Sequence, residues 1–155
     1  MKSSFKAIFS MIFCICLLSC EKETDLLSKR DFETSNEETN YKIDIDLSAL
    51  SVTMAYAEAY RIMSSPDNYI GKTIKVNGTY ATNFYEPTDK YYSFVLITDS
   101  TSCCTLSFEF EWPDKSYPED YPQEGDTIEI VGLFGCYDEL GITYYSLNIN
   151  YLKIL

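Results

Sequence analysis

The chain contains no histidine. That absence removes any Ser-His or Cys-His nucleophile pair and every histidine-ligated metal centre. It is also poor in positive charge, with 12 lysines and arginines against 24 acids and a formal charge of −12. Nucleic-acid binding rests on cations that neutralise phosphates, and the sequence has no basic stripe to supply them. No nucleic-acid partner is therefore expected. There is no D-x-D-x-D-G calcium loop and no C-x-x-C thiol spacing. No cofactor is expected, and any chemistry is left to carboxylates, tyrosines or thiols.

The N-terminus carries Lys2 and Lys6 and then an apolar run from Ala7 to Leu18. This is a basic segment followed by an apolar segment of signal-peptide length, too short to span a bilayer as a permanent helix. It ends in Leu17-Leu18-Ser19-Cys20, which resembles the lipobox of bacterial lipoproteins. The resemblance implies a signal peptide over residues 1–19, cleavage before Cys20, and acylation of that cysteine. Several acyl chains on one residue would hold the protein on its membrane. The expected setting is the bacterial cell envelope, extracytoplasmic, with the outer membrane or cell surface favoured. Removal of Lys2 and Lys6 would take the charge from −12 to −14. Residues 20–40 are Glu, Lys, Thr, Asp, Ser and Asn with few apolar side chains, the composition of a solvated tether. Glu21, Glu23 and Asp25 resemble surface-export signals of some Gram-negative lipoproteins, and a plain acidic linker reads equally well.

Residues 41–155, about 115 in number, suffice for one domain with one core. Ile43, Ile45 and Leu47 alternate with Lys42, Asp44 and Asp46, as in a short strand or extended lead-in. Ser48 or Ser51 offers a helix N-cap. Val52 to Ser64 then reads as a helix, with Val52, Ala55, Tyr56, Ala59, Tyr60 and Met63 on one stripe. Ser64-Ser65-Pro66-Asp67 ends it. Beyond it the period switches to two. Strands are expected over Lys72 to Thr82, Tyr91 to Asp99, Thr105 to Trp112, Asp126 to Cys136 and Tyr144 to Leu152. Their inner residues are Ile74, Val76 and Tyr80; Leu106, Phe108, Phe110 and Trp112; Ile128, Ile130 and Phe134; and Tyr145, Leu147, Ile149 and Tyr151. Gly78 sits where a sharply bent strand needs no side chain. Aromatics make up 15% of the chain, with 14 Tyr and 9 Phe, which suits half-exposed strands. The expected fold is mainly β, a five-stranded barrel preceded by one N-terminal helix.

Pro66 to Gly78, Cys103-Cys104, Phe108-Glu109-Phe110 and Gly125 to Gly132 resemble small bacterial OB-fold lipoproteins of uncharacterised function. The resemblance covers the chain from about Tyr56 onward and implies an OB-fold-like barrel without naming an activity. It departs from nucleic-acid-binding members in lacking a basic and aromatic platform, since Glu109 and Glu111 occupy the outer face of the third strand.

Three cysteines remain after the lipidation site: Cys103, Cys104 and Cys136. Strand parity turns Cys104 and Cys136 inward at one end of the barrel. They then read as buried thiols packing like small hydrophobes, or as a Cys104–Cys136 disulfide with Cys103 free. A three-thiolate metal site or a redox-active vicinal pair is the third reading. Adjacent strand residues point to opposite faces, which counts against a metal on Cys103-Cys104.

The segment from Pro113 to Asp126 holds five carboxylates and two tyrosines where OB-folds often carry a helix, and reads as a solvated acidic loop. Glu109 and Glu111, two apart on one strand face, could pose paired acids for glycoside chemistry, though outer-face carboxylates are ordinary. Phe84 and Tyr85, with Tyr91, Trp112 and Tyr117, could form an aromatic patch for a sugar or peptide. The candidate ligand face is Tyr85, Tyr91, Glu109, Glu111, Trp112 and Tyr117. The expected function is a non-enzymatic, lipid-anchored module that binds an envelope protein or small ligand. The alternative is a thiol-dependent redox or metal-handling envelope protein using Cys103, Cys104 and Cys136.

Overall fold

The computed structural model describes residues 42–155. The expected signal segment, the lipidation site Cys20 and the tether lie outside the described residues. The element order is β1 (Ile45–Asp46), α1 (Val52–Ser64), a single 3₁₀ turn (Pro66–Tyr69), β2 (Thr73–Tyr85), β3 (Lys90–Thr98), β4 (Thr105–Glu111), β5 (Thr127–Glu139) and β6 (Ile142–Ile154). Among the described residues no helix is long and apolar enough to cross a membrane.

The five long strands close into a barrel, in the order β2-β3-β4-β6-β5 with β5 returning to β2. All the contacts are antiparallel except β4 with β6, which run parallel through Glu109 to Glu111. β2 serves two neighbours in turn. Thr73 to Thr79 pair with β5, and Thr79 to Tyr85 pair with β3. Gly78 lies at this changeover, where an added Cβ would stand 2.3 Å from the Leu96 carbonyl oxygen. The close approach of two backbones is what requires glycine there.

Alternation fills the barrel as expected over most of its length. Ile74, Val76, Tyr80, Val95, Phe108, Phe110, Ile128, Ile130, Phe134, Leu147 and Ile149 are buried. Each such side chain withdrawn from water contributes about 1.5–3 kcal/mol. Tyr80 carries its hydroxyl into this core and meets Ser93 Oγ at 3.2 Å, so neither group is left without a partner.

Three expectations are corrected. First, the helix is not the leading element, because Ile45 and Asp46 pair in parallel with Ile74 and Lys75 and form β1 ahead of it. Second, the buried helix stripe is rotated. Ala59 and Ile62 are fully buried, whereas Val52 and Tyr60 are 57% and 60% exposed and Met63 also faces out. Ser51 Oγ accepts from the Met54 N–H as the N-cap, so the helix bounds stand while its inner face is narrower than the apolar pattern implied. Third, Tyr151 does not continue the inner row of β6. The pairing slips at Val131/Gly132, where Val131 faces Tyr151 and Gly132 faces Ile149. That slip skips Asn150 and turns Leu152 into the core instead.

Candidate functional site

β5 and β6 are 13 residues each and run beyond the barrel as a hairpin. Leu140 and Gly141, at φ 51° and 81°, make its two-residue turn, both in the left-handed region that such turns need. The rungs Tyr137–Tyr144, Asp138–Thr143 and Glu139–Ile142 carry Tyr137 and Glu139 toward the outer face of β3 and β4. There Tyr137 Oη donates to Glu109 Oε1 at 2.6 Å. Glu139 accepts from the Tyr92 hydroxyl and, at 3.0 Å, from Lys90 Nζ. The hairpin tip and the β3–β4 face thus form the two walls of a cleft.

This cleft has a volume of about 530 Å³. Tyr91, Glu109, Glu111, Trp112 and Tyr117 all line it, and Tyr85 lines an adjoining hollow of about 390 Å³ that shares Glu109, Tyr92, Tyr137 and Glu139 with it. Five of the six candidate ligand-face residues thus line one cleft, and Tyr85 stands in the adjoining hollow. Tyr91 stacks on Tyr117 with ring centres 4.4 Å apart, and Phe84 packs against Tyr91 at 5.0 Å. Tyr121 forms part of the floor. It lies parallel to Phe110 and accepts the Trp112 backbone N–H on its hydroxyl. Lys115 Nζ lies 5.5 Å from the Trp112 ring centre. A segment without a helix, from Trp112 to Asp126, therefore delivers two of the aromatic walls. Its acids are partly spent on its own turns: Asp120 accepts from the Ser116 N–H and Asp126 from the Gln123 N–H.

Charge in the cleft is strongly one-sided. Glu109, Glu111, Asp114, Asp138 and Glu139 line it against Lys90 and Lys115. Burial pushes the Glu109 carboxyl above its ordinary range, with the neighbouring Glu111 and Glu139 acting the same way and the Tyr137 hydrogen bond opposing. Glu139 goes the other way: the Tyr92 and Lys90 hydrogen bonds hold it below the usual range. The Tyr137 phenol is driven far up by burial and by Glu109, so it stays protonated and remains a donor. Glu109 is partly desolvated, so a cation entering the cleft would favour its charged form.

Lys90, Tyr92, Tyr137 and Glu139 line the cleft in addition to the residues expected of the ligand face. The expected strands stop at Cys136 and begin again at Tyr144, whereas β5 runs on to Glu139 and β6 starts at Ile142. The signal that could have found them is the pairing potential of Tyr137 with Tyr144, which stack at 5.6 Å across the hairpin.

The cysteines stand elsewhere. Cys103, Cys104 and Cys136 are all free and exposed, which corrects the inward placement of Cys104 and Cys136. Cys136 keeps the parity of Phe134, but Tyr145 stacks on Phe134 and closes the core before that level is reached. Cys104 precedes β4 in the β3–β4 loop, where strand parity does not apply. There Cys103 and Cys104 place their sulfurs on the same side, 3.5 Å apart.

No protein-family model and no curated protein matches the chain.

Proposed function

We propose that the protein is a lipid-anchored, extracytoplasmic OB-fold binding module, without catalytic activity, that holds a cationic group of an envelope protein or small ligand in its acidic aromatic cleft. The assembly of Tyr91, Glu109, Glu111, Trp112 and Tyr117 around one cavity is the observation that carries this reading. Carboxylates attract the charge, while the ring faces of Tyr91, Tyr117 and Trp112 accept both apolar stems and cations. The OB assignment is supported by the barrel order first-second-third-fifth-fourth, which is a five-stranded Greek key. The anchor and the envelope location rest on Leu17-Leu18-Ser19-Cys20.

Two measurements test it. Mass spectrometry of detergent-extracted protein should find the chain beginning at an acylated Cys20, and an intact Met1 terminus would remove the anchor. Titration of the isotope-labelled protein with trilysine should move the amides of Tyr91, Glu109, Glu111 and the Trp112 indole. Salt should weaken the effect. Shifts confined to other surfaces, or none at millimolar peptide, would refute the cation site.

A further inference from the structure

At the end of the barrel where β3 turns into β4, the loop from Asp99 to Cys104 gathers three donors of metal-binding type. Asp99 Oδ, Cys103 Sγ and Cys104 Sγ all lie within 4.8 Å of one another. The carboxylate is fixed by its own surroundings. Its Oδ1 accepts the Cys103 N–H at 3.0 Å and the Cys104 N–H at 3.4 Å, and its Oδ2 accepts the Thr101 hydroxyl at 2.9 Å. The main chain closes the loop through Asp99 N–H to the Cys104 carbonyl at 3.0 Å.

The spacing of the donors can be compared with the edges of a tetrahedral site. Two sulfurs bound to one zinc at about 2.3 Å stand about 3.8 Å apart, and a sulfur and a carboxylate oxygen about 3.6 Å. In the structure the two sulfurs are 3.5 Å apart, and Cys103 Sγ is 3.4 Å from Asp99 Oδ2. Both edges lie within a few tenths of an ångström of the tetrahedral values. A disulfide would need its sulfurs at about 2.05 Å, far shorter than the observed separation. The usual objection to adjacent cysteines, that strand neighbours point to opposite faces, does not hold outside the ladder.

We propose that Asp99, Cys103 and Cys104 form a binding site for a thiophilic divalent cation, zinc being the probe that fits, with the fourth position open to solvent. Binding takes one Zn²⁺, two thiols and one carboxylate to a complex of charge −1 and releases two protons to the buffer. The release follows because a thiol must give up its proton to bind the cation as a thiolate. The site lies on a different loop from the acidic cleft and does not depend on it.

The test uses the reduced full chain in detergent, with Cys14, Cys16 and Cys20 replaced by serine so that only the three described thiols remain. One zinc per chain, with about two protons released per metal in buffers of differing ionisation heat, is the expected result. C103S and C104S should each abolish stoichiometric binding, C136S should leave it unchanged, and D99N should weaken it at least ~10-fold, no less than loss of an outer-shell partner costs. A cobalt(II)-loaded sample should show sulfur-to-metal charge transfer that vanishes in C103S and C104S. No stoichiometric zinc, or binding that survives C103S and C104S, overturns the proposal. So does a Cys103–Cys104 disulfide that persists when the protein is isolated without reductant from zinc-supplemented cells.

Discussion

The hydrogen bond from Tyr137 to Glu109 joins the hairpin tip to the barrel, and its strength can be worked out and tested. Hydrogen bonds to charged groups contribute about 1.5–3 kcal/mol. Glu109 is only part-buried, so solvent screening brings the expectation for Y137F to roughly 1–2 kcal/mol at pH 7.5. For a domain of this size that corresponds to a fall in Tm of roughly 4–8 °C. Because burial raises Glu109 above its ordinary value of 4.5, the folded state binds this proton more tightly than the unfolded chain. That contribution to stability is fully present below 4.5 and is lost as pH rises through the folded value. With Glu109 protonated at pH 4 the bond joins neutral groups, and the loss in Y137F should shrink to about 0.5–1.5 kcal/mol. Conversely E109Q, which never carries the buried charge, should gain on the wild type as pH rises from 4 to 7.5. Urea unfolding of wild type, Y137F, E109Q and the double variant at both pH values provides the cycle. A Y137F loss that does not change with pH, together with a coupling below about 0.3 kcal/mol at pH 7.5, would refute this account of the cleft.

Other expectations concern the frame. G78A must push a Cβ against the Leu96 carbonyl oxygen and Val95 Cγ2, so it should cost more than about 3 kcal/mol or prevent folding, read by circular dichroism and urea melts. F108A removes a fully buried ring that meets Phe134 edge-on, and should cost about 3–5 kcal/mol by the same melts. S51A should cost about 1 kcal/mol, seen as early loss of helix signal. Glu139 sits below its ordinary range because of Tyr92 and Lys90, so its contribution is present above pH 4.5 and lost as pH falls through its folded value. Removing Lys90 as K90M should raise the Glu139 midpoint in a carbon-13 carboxyl titration, and an unmoved midpoint would disprove the pairing.

Much of the frame is legible in the sequence because its elements are set by local rules. The helix starts at a serine that can cap it and stops before Pro66, and both bounds follow from the chain alone. The barrel strands follow from strict alternation, as in Thr105 to Trp112, where every second residue is apolar. Departures occur where the register between strands, rather than the pattern within one, decides the outcome. The slip opposite Val131/Gly132 exchanges Tyr151 for Leu152, and nothing in residues 144–152 announces it. The cleft shows the same division. Its wall on β4 and the 112–126 segment is legible in acids and aromatics clustered in sequence. The opposite wall, Tyr137 and Glu139, arrives from a hairpin whose length depends on pairing between β5 and β6. The cysteine placements failed for a related reason: parity predicts facing within a ladder and says nothing of the loop before it or of where the core ends.

The seam between β4 and β6 is tied by only three rungs, Glu109 to Ser146, Phe110 to Leu147 and Glu111 to Asn148. β5 and β6, by contrast, zip together over their full length. β4, which bears Glu109 and Glu111, is therefore also the strand that shares the shortest pairing within the barrel. A guest held between Glu109 or Glu111 and the hairpin tip would act as a stitch across the barrel's loosest joint. Occupancy would then be readable far from any contact, as slower amide exchange along β4 and a melting point that climbs with ligand concentration.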